Sequence, residues 1–323
     1  MPMLSKKLIL APLRGITNHH FRTLFQKHFG GFDLAMAPFV PTVQAQKFNE
    51  NLFRDIIPAK NNTLAVIPQL LGNNPDDFLR MAAHIHQRYG FSEINWNLGC
   101  PVGTVTRKKK GSGLLQYPEL IYSFLDSVMH RRPCDISIKI RLGYDRPDRL
   151  TAMMEKLNNY PICCLTVHAR TAAQMYEGSV DLDHFAQVYD AARMPVWYNG
   201  DITSKAAFSA LSERFPNVSG WMIGRGAISD PFLPQKIKGT TEDDPIQRIC
   251  FFHEELFEIY RQHYYGPAPL LGAMKEIWNH LHQFFQNGGK MLKAVRKTKT
   301  PDHYLAEVKS LLNSSVPAEH QRL

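Results

Sequence analysis

The chain has 323 residues, 44% of them hydrophobic, and 38 Lys and Arg against 29 Asp and Glu give a formal net charge of +9. That length suits one large domain plus a small one, and no run of about 18 apolar residues exists to span a membrane. The basic balance exceeds what an enzyme of small neutral substrates needs and points to a polyanionic partner, nucleic acid or an anionic surface.

Five cysteines, Cys100, Cys134, Cys163, Cys164 and Cys250, form an odd set with no CxxC. A disulfide framework and a structural zinc site are therefore not expected. The opening "MPMLSKKLILAPL" holds an apolar stretch too short for a signal sequence, so the cytoplasm is the expected compartment.

In chain order, short apolar runs fall at 8–13, 34–39, 64–70, 93–99, 136–142, 164–170, 196–200 and 220–226. They are aliphatic or β-branched and lack strict alternation, as in strands buried on both faces of a parallel sheet. Segments of helical spacing separate them, at 74–90, 117–132 and 203–215 among others; the first opens on Asn-Pro-Asp and closes on Gly90. Eight strands alternating with helices predict an α/β fold, a (β/α)8 TIM barrel. An open doubly wound sheet would want a GxGxxG turn after its first strand, and "APLRGITN" does not supply one.

Two prolines, Gly239 and "TEDD" mark a linker near 235–245, after which the pattern is helical only. The expected division is a catalytic barrel over 1–238 and a small C-terminal helical bundle over 243–323. Residues 290–299 hold five cations and no acid, which reads as a solvated helix end or a nucleic-acid contact.

Polar residues at the C-terminal ends of barrel strands build active sites. Here they are Gln69, Asn97 with Cys100, Lys139 with Arg141, His168 with Arg170, Asn199-Gly200-Asp201, and Gly224 with Arg225. The turns "NGD" and "GRG" after the last two strands suit a phosphate. No metal constellation is read: His168 lacks a second ligand at metal spacing, and His84 and His86 lie in a predicted helix, expected to face solvent. Lys139, inside an otherwise apolar strand, needs an anionic or hydrogen-bonding partner; a Schiff-base lysine is the rival reading.

The ordered series "APLRGITN", "PQLLG", "NWNLGCP", "GSGLLQYP", "IKIRLG", "TVHAR", "YNGDI" and "MIGRGA" resembles the tRNA-dihydrouridine synthases over residues 8–230. The resemblance implies a barrel with tightly bound FMN at its mouth, recharged by NADPH, and a helical domain that helps hold tRNA. It implies Cys100 as the catalytic residue. For the cofactor it implies Ala11, Pro12, Leu13, Gln69, Lys139, His168, Asn199, Gly200, Asp201, Gly224 and Arg225. For the substrate it implies Asn97, Arg141 and Arg170, joined on charge by Arg107, Lys108, Lys109 and Lys110. The chain departs from the pattern at Leu13, Asn18, Trp197 and Tyr198, and "RKKK" is more basic than is usual. Residues 37–60, opening on "APFVPTVQAQKF", resemble the subgroup acting on position 16 more than those acting in the 20 region.

The implied reaction delivers hydride from reduced flavin to C6 of uracil and a proton to C5. A free thiol, pKa about 8.5, is protonated at neutral pH and serves as that acid. Nearby cations would lower its pKa, so Lys108–Lys110 are expected to point away from the sulfur, toward RNA. The alternatives are a small-molecule flavin oxidoreductase of dihydroorotate or dihydropyrimidine dehydrogenase type, and a barrel that only binds RNA. A monomer without metal or membrane is expected.

Overall fold

A computed structural model describes residues 7–240 and 244–318. Its barrel strands are β1 (Leu8–Leu10), β2 (Leu34–Met36), β3 (Val66–Ile67 and Gln69–Leu71), β4 (Glu93–Leu98), β5 (Asp135–Gly143), β6 (Leu165–Thr171), β7 (Val196–Asn199) and β8 (Gly220–Ile223). All neighbours are parallel, and β8 pairs with β1. Pro68 has no N–H for the ladder and splits β3 in two. Ile67 still serves the β2 side, while the Pro68 carbonyl accepts Asn95 N–H at 2.8 Å on the β4 side, so the ring closes across the break. A further short strand, Val40–Pro41, lies beside the second part of β3.

All eight predicted strands are present, and most are shorter than their apolar runs. The first run stops being strand after Leu10, and the last gives way at Arg225 to a short helix, Arg225–Ser229. Barrel helices are α1 (His19–His28), α2 (Pro75–Tyr89), α3 (Pro118–Met129), α4 (Arg149–Leu157), α5 (Leu182–Ala191) and α6 (Lys205–Arg214). The Asn74 side chain caps α2 by accepting Asp77 N–H, and Gly90 ends it at φ +76°. Outward strand residues seal against these helices; Trp96 of β4 stacks on Phe124 of α3 at 3.8 Å.

The barrel interior has two unlike halves. Ile9, Ala11, Met36, Ile67, Trp197 and Met222 form an apolar cluster contributed by β1, β2, β3, β7 and β8. Opposite them stand Gln69, Asn95, Asn97, Ser137, Arg141 and His168, all buried. Buried polar groups need partners, and here they form a chain. Asn97 Nδ2 donates to Gln69 Oε1, Gln69 Nε2 to Asn95 Oδ1, and Asn95 Nδ2 to Ser137 Oγ, at 2.7 to 2.9 Å.

The C-terminal region contains α7 (Pro245–His263), α8 (Pro267–Leu281), α9 (Gly288–Lys297) and α10 (Pro301–Asn313). Part of the expected linker is instead a helix, Leu233–Lys238, ended by Gly239 at φ +79°; residues 241–243 lie outside the described residues. Helix α7 packs along α1: Phe252 meets Phe21 and Phe29, Tyr260 accepts from Asn18 at 2.8 Å, and Lys27 pairs with Glu255. The Tyr304 hydroxyl ties three helices of the bundle, meeting Trp278 Nε1 at 3.0 Å and His253 Nε2 at 2.7 Å. Among the described residues no helix is long and apolar enough to cross a membrane.

Candidate active site at the barrel mouth

Cys100 sits two residues past the end of β4, in a turn fixed from several sides. Asn97 Oδ1 accepts the N–H groups of Cys100 (2.9 Å) and Gly99 (3.1 Å), an Asx-type turn. Arg141 Nε donates to the Gly99 carbonyl at 3.0 Å. The Cys100 carbonyl accepts both Ser112 N–H (3.1 Å) and Ser112 Oγ–H (2.9 Å). A Cβ at Gly111 would lie 2.8 Å from that same carbonyl, and Gly111 has φ +56°; both facts demand glycine. "GSG" therefore closes the turn that carries the thiol.

Burial pushes the Cys100 thiol up from its ordinary value, with a hydrogen bond from Val102 and the charges of Arg14, Arg141 and Lys139 opposing. Arg107 and Lys108–Lys110 are not among those charges. Arg107, Lys108 and Lys109 are exposed and Lys110 half-buried, and Lys109 lies 4.4 Å above the Tyr117 ring. Burial thus favours the protonated thiol.

Register places Asn97 beside Lys139, Arg141 beside His168, and His168 beside Asn199, so these polar side chains share one rim. Lys139 Nζ donates to Asn199 Oδ1 at 3.0 Å, and Asn199 Nδ2 to the Met222 carbonyl at 2.9 Å. Lys139 keeps some exposure through the mouth, but protein crowds its ammonium. Desolvation first, then Arg141, lowers it to about 7. Desolvation also drives His168 well below its ordinary value, reinforced by Arg141, Lys139, Arg170 and Arg225. Lys139, Arg141, His168, Arg170 and Arg225 thus gather at one rim, where Asp201 pairs with Arg170.

Asp201 is itself committed. Arg170 grips both its oxygens, one at 2.9 Å, and spends its other donors on the carbonyls of Glu177 and Gly178. Arg170, expected among the substrate residues, is buried with its donors on Asp201 and on the Glu177 and Gly178 carbonyls, so in this structure it also shapes the 171–178 loop. Arg141 likewise donates to Gly99 and Thr171 carbonyls, which makes it a positioning group for the Cys100 turn. Gln69 is fully buried with both amide ends engaged, inside the barrel and below the rim.

Tyr176, unremarked in the sequence, stands exposed between the Arg141 and Arg225 guanidiniums, 5.3 and 5.1 Å from its ring centroid. Its loop position gives no periodic signal, so only the fold reveals it. Arg225 also donates to the Tyr176 carbonyl and lies 3.4 Å from Asp201.

From β1, Ala11 N–H donates to the Ile223 carbonyl at 2.8 Å, and Pro12 and Leu13 follow, half-buried. A Cβ at Gly224 would lie 3.3 Å from the Ala11 methyl and 3.6 Å from Leu13. Apolar β1, the glycines of β7 and β8, and the basic rim thus face one space. Lys139, an ammonium with no carboxylate partner, fits the electron-rich edge of an anionic ring, and Gly200, Gly224 and Arg225 fit a phosphate. A flavin mononucleotide meets both demands.

Among the described residues no group of three or more His, Cys, Asp or Glu could hold a metal ion. The solvent-facing expectation for His84 and His86 is corrected. His84 packs 5.0–5.1 Å from the rings of Phe48 and Phe53, and His86 Nδ1 meets the Phe91 carbonyl at 2.8 Å. They border the buried face of α2, centred on Ile85, from its two sides.

The dihydrouridine synthase family profile matches residues 9–316. The chain is 32% identical over 245 residues to the tRNA-dihydrouridine synthase B of Pasteurella multocida, covering 75% of this chain and 72% of the relative. It is 28% identical over 331 residues to the tRNA-dihydrouridine(16) synthase of Neisseria meningitidis serogroup B, covering 97% and 98%. Among solved structures, morphinone reductase in complex with tetrahydroNAD superposes with a TM-score of 0.50 at 12% identity, covering 75% of this chain and 90% of the other. The 6-hydroxypseudooxynicotine amine oxidase of Pseudomonas geniculata superposes at 0.51 and 14%, covering 72% and 47%. These two likenesses concern the fold. With a profile match across nearly its whole length and a relative above 30% identity, the chain belongs to the dihydrouridine synthase family.

Proposed function

We propose that the protein reduces uridine in tRNA to 5,6-dihydrouridine, with Cys100 as the acid that protonates C5. The observation that carries this reading is the thiol itself: pinned at a barrel mouth, raised by burial, and set beside a cationic rim. FMN, recharged by NADPH, supplies the hydride chemistry when bound.

The chain's own residues have separable tasks. Ala11, Pro12 and Leu13 support the ring, while Lys139 and His168 meet its polar edge. Asn199, Gly200, Gly224 and Arg225 hold the phosphate side, with Arg225 steadied by Asp201. Asn97 and Arg141 orient the Cys100 turn, and the cationic rim favours the negative charge that develops on the uracil ring. The uridine must leave its stack to reach this mouth.

Two basic surfaces support a tRNA substrate. One is Arg107–Lys110 beside Tyr117. The other is α9, where Lys290, Lys293 and Lys297 line a cleft of about 400 Å³ with His303, three lysines against the one carboxylate of Glu307. Phosphates held by such cations make affinity salt-dependent. The near end-to-end match with the Neisseria meningitidis protein supports position 16 as the target.

Incubating the flavin-loaded protein, NADPH and unmodified tRNA, then mapping dihydrouridine by mass, tests the reading. Product at position 16 with wild type and none with Cys100→Ala is expected. Turnover by Cys100→Ala would remove the acid role, and absence of product with wild type would remove the activity.

A further inference from the structure

The seam between α1 and α7 carries a second cationic feature, separate from the barrel mouth. His19 and His20 open α1 with ring centroids 3.8 Å apart. His263, in the last turn of α7, closes on His20 at 5.1 Å, and Tyr260 meets it edge-on at 6.3 Å. A cleft of about 240 Å³ lies against the two α1 histidines, with Thr23, Lys60 and Asn62 on its polar side and Leu24, Ala59 and Ile259 on its apolar side; His263 stands behind His20, outside the lining.

Charge there is lopsided. Arg22 comes from α1, Arg54 and Lys60 from the 50–61 segment, His263 from α7, and the nearby phenols are Tyr260 and Tyr264. Asp55 is the acid facing the rings, and it is taken: its Oδ1 accepts His19 Nδ1 at 2.8 Å and His19 N–H at 3.1 Å. Arg22 is spent on Thr17, Asp55 and Asn61. Among the described residues no carboxylate pairs with Lys60, His20 or His263. Burial, then His19, His263 and Lys60, holds His20 at about 4, and burial with Arg54, His19 and Lys60 lowers His263.

We propose that this cleft holds a backbone phosphodiester of the substrate RNA, gripped by His20 and Lys60 with His263 backing His20, and that binding it draws protons onto these two histidines. The inference rests on the RNA-substrate reading above. Its occupant follows from chemistry: a phosphate supplies the missing negative charge and accepts hydrogen bonds from Asn62, Lys60 and the His20 ring, while the Thr23 hydroxyl donates to the Lys60 carbonyl. Location agrees. The 11–18 loop that starts at the cofactor wall and carries Arg14, one of the charges felt by Cys100, runs directly into His19. One segment therefore borders both the reacting thiol and the cleft.

An anion beside an imidazole favours its charged form, so binding takes up protons and tightens as pH falls. The test measures tRNA affinity of the flavin-loaded protein by fluorescence anisotropy at about pH 7.5 and 6, at constant ionic strength. Wild type should gain several-fold in affinity at the lower pH, at most about tenfold per unit for each proton taken up. The double variant His20→Gln/His263→Gln should lose that gain while keeping flavin absorbance and Tm. Lys60→Gln should weaken binding at both pH values and lower the salt slope by about one. An unchanged pH gain in the double variant overturns the proposal, as does a defect confined to the KM for NADPH. If wild type binds no tRNA at any pH, the substrate reading and the proposal fall together.

Discussion

The side-chain oxygen of Asn97 lies 2.9 Å from the backbone nitrogen of Cys100, and its amide nitrogen lies 2.7 Å from Gln69 Oε1. One side chain therefore couples the turn that carries the thiol to the polar chain through the barrel interior. Asn97→Ala leaves two amides and Gln69 without partners, at a cost of about 1–3 kcal/mol for each buried group. A turn displaced by about 1 Å costs on the order of 100-fold in rate. Single-turnover reduction of tRNA should show that loss. Asn97→Asp keeps the acceptor and should retain more activity than Ala.

The thiol is required protonated, and burial holds its pKa above the ordinary value. Oxidation of reduced flavin by tRNA should therefore stay level through neutral pH. It should decline only as pH passes above the ordinary thiol value of about 8.5. Stopped-flow flavin absorbance against pH measures this. A decline centred below that value would mean that the rim cations dominate desolvation.

Lys139 titrates near 7 in the protein alone because its ammonium is desolvated beside Arg141. An anionic ring edge favours the charged form, so flavin binding should take up a proton and weaken as pH rises above about 7. Flavin fluorescence quenching should show this trend in wild type. It should vanish in Lys139→Gln, which should also bind more weakly.

Much of this was legible in the sequence because parallel barrel strands are buried on both faces and read as apolar runs. Polar residues at the ends of such runs, Cys100, Lys139 and His168 among them, stand out against that background. What partners those polar residues take was not legible. Arg170 and Asp201 are 31 positions apart, and nothing in "VHAR" shows that the guanidinium is consumed by Asp201 and two loop carbonyls. Nothing in "GSG" shows that Ser112 clasps the Cys100 carbonyl while Gly111 leaves room for it. The seam of His20 and His263 joins residues more than 240 positions apart, which periodicity cannot reach.

Replacing Lys108, Lys109 and Lys110 with Ala removes three cations from the surface proposed to meet RNA while leaving Arg14, Lys139 and Arg141 around the thiol in place. The salt slope of tRNA binding should flatten by about 0.7 for each phosphate no longer neutralised, taking single-stranded RNA as the guide. Flavin content and its reduction by NADPH should not change. Because the Lys109 ammonium also lies over Tyr117, Tyr117→Ala should weaken binding with little change in slope. Slopes from binding at several salt concentrations separate the two effects.

The bundle should be acid-sensitive through His253. Burial alone lowers this histidine from 6.5 to about 4, and its Nε2 meets Tyr304 at 2.7 Å. A histidine depressed in the folded state stays neutral while the unfolded chain takes up a proton. Stability is therefore intact above about 6.5 and is lost progressively down to about 4, by about 3 kcal/mol at most from this group. His253→Gln removes the titration and keeps an acceptor for the Tyr304 hydroxyl. Urea midpoints at about pH 7 and 5 should fall less in the variant than in wild type, the difference isolating His253 from His20 and His168, which shift in the same direction. Tyr304→Phe strands Trp278 Nε1 and His253 Nε2 together, and should cost about 1–3 kcal/mol at neutral pH. Equal acid sensitivity in wild type and His253→Gln would place the titrating group elsewhere in the molecule.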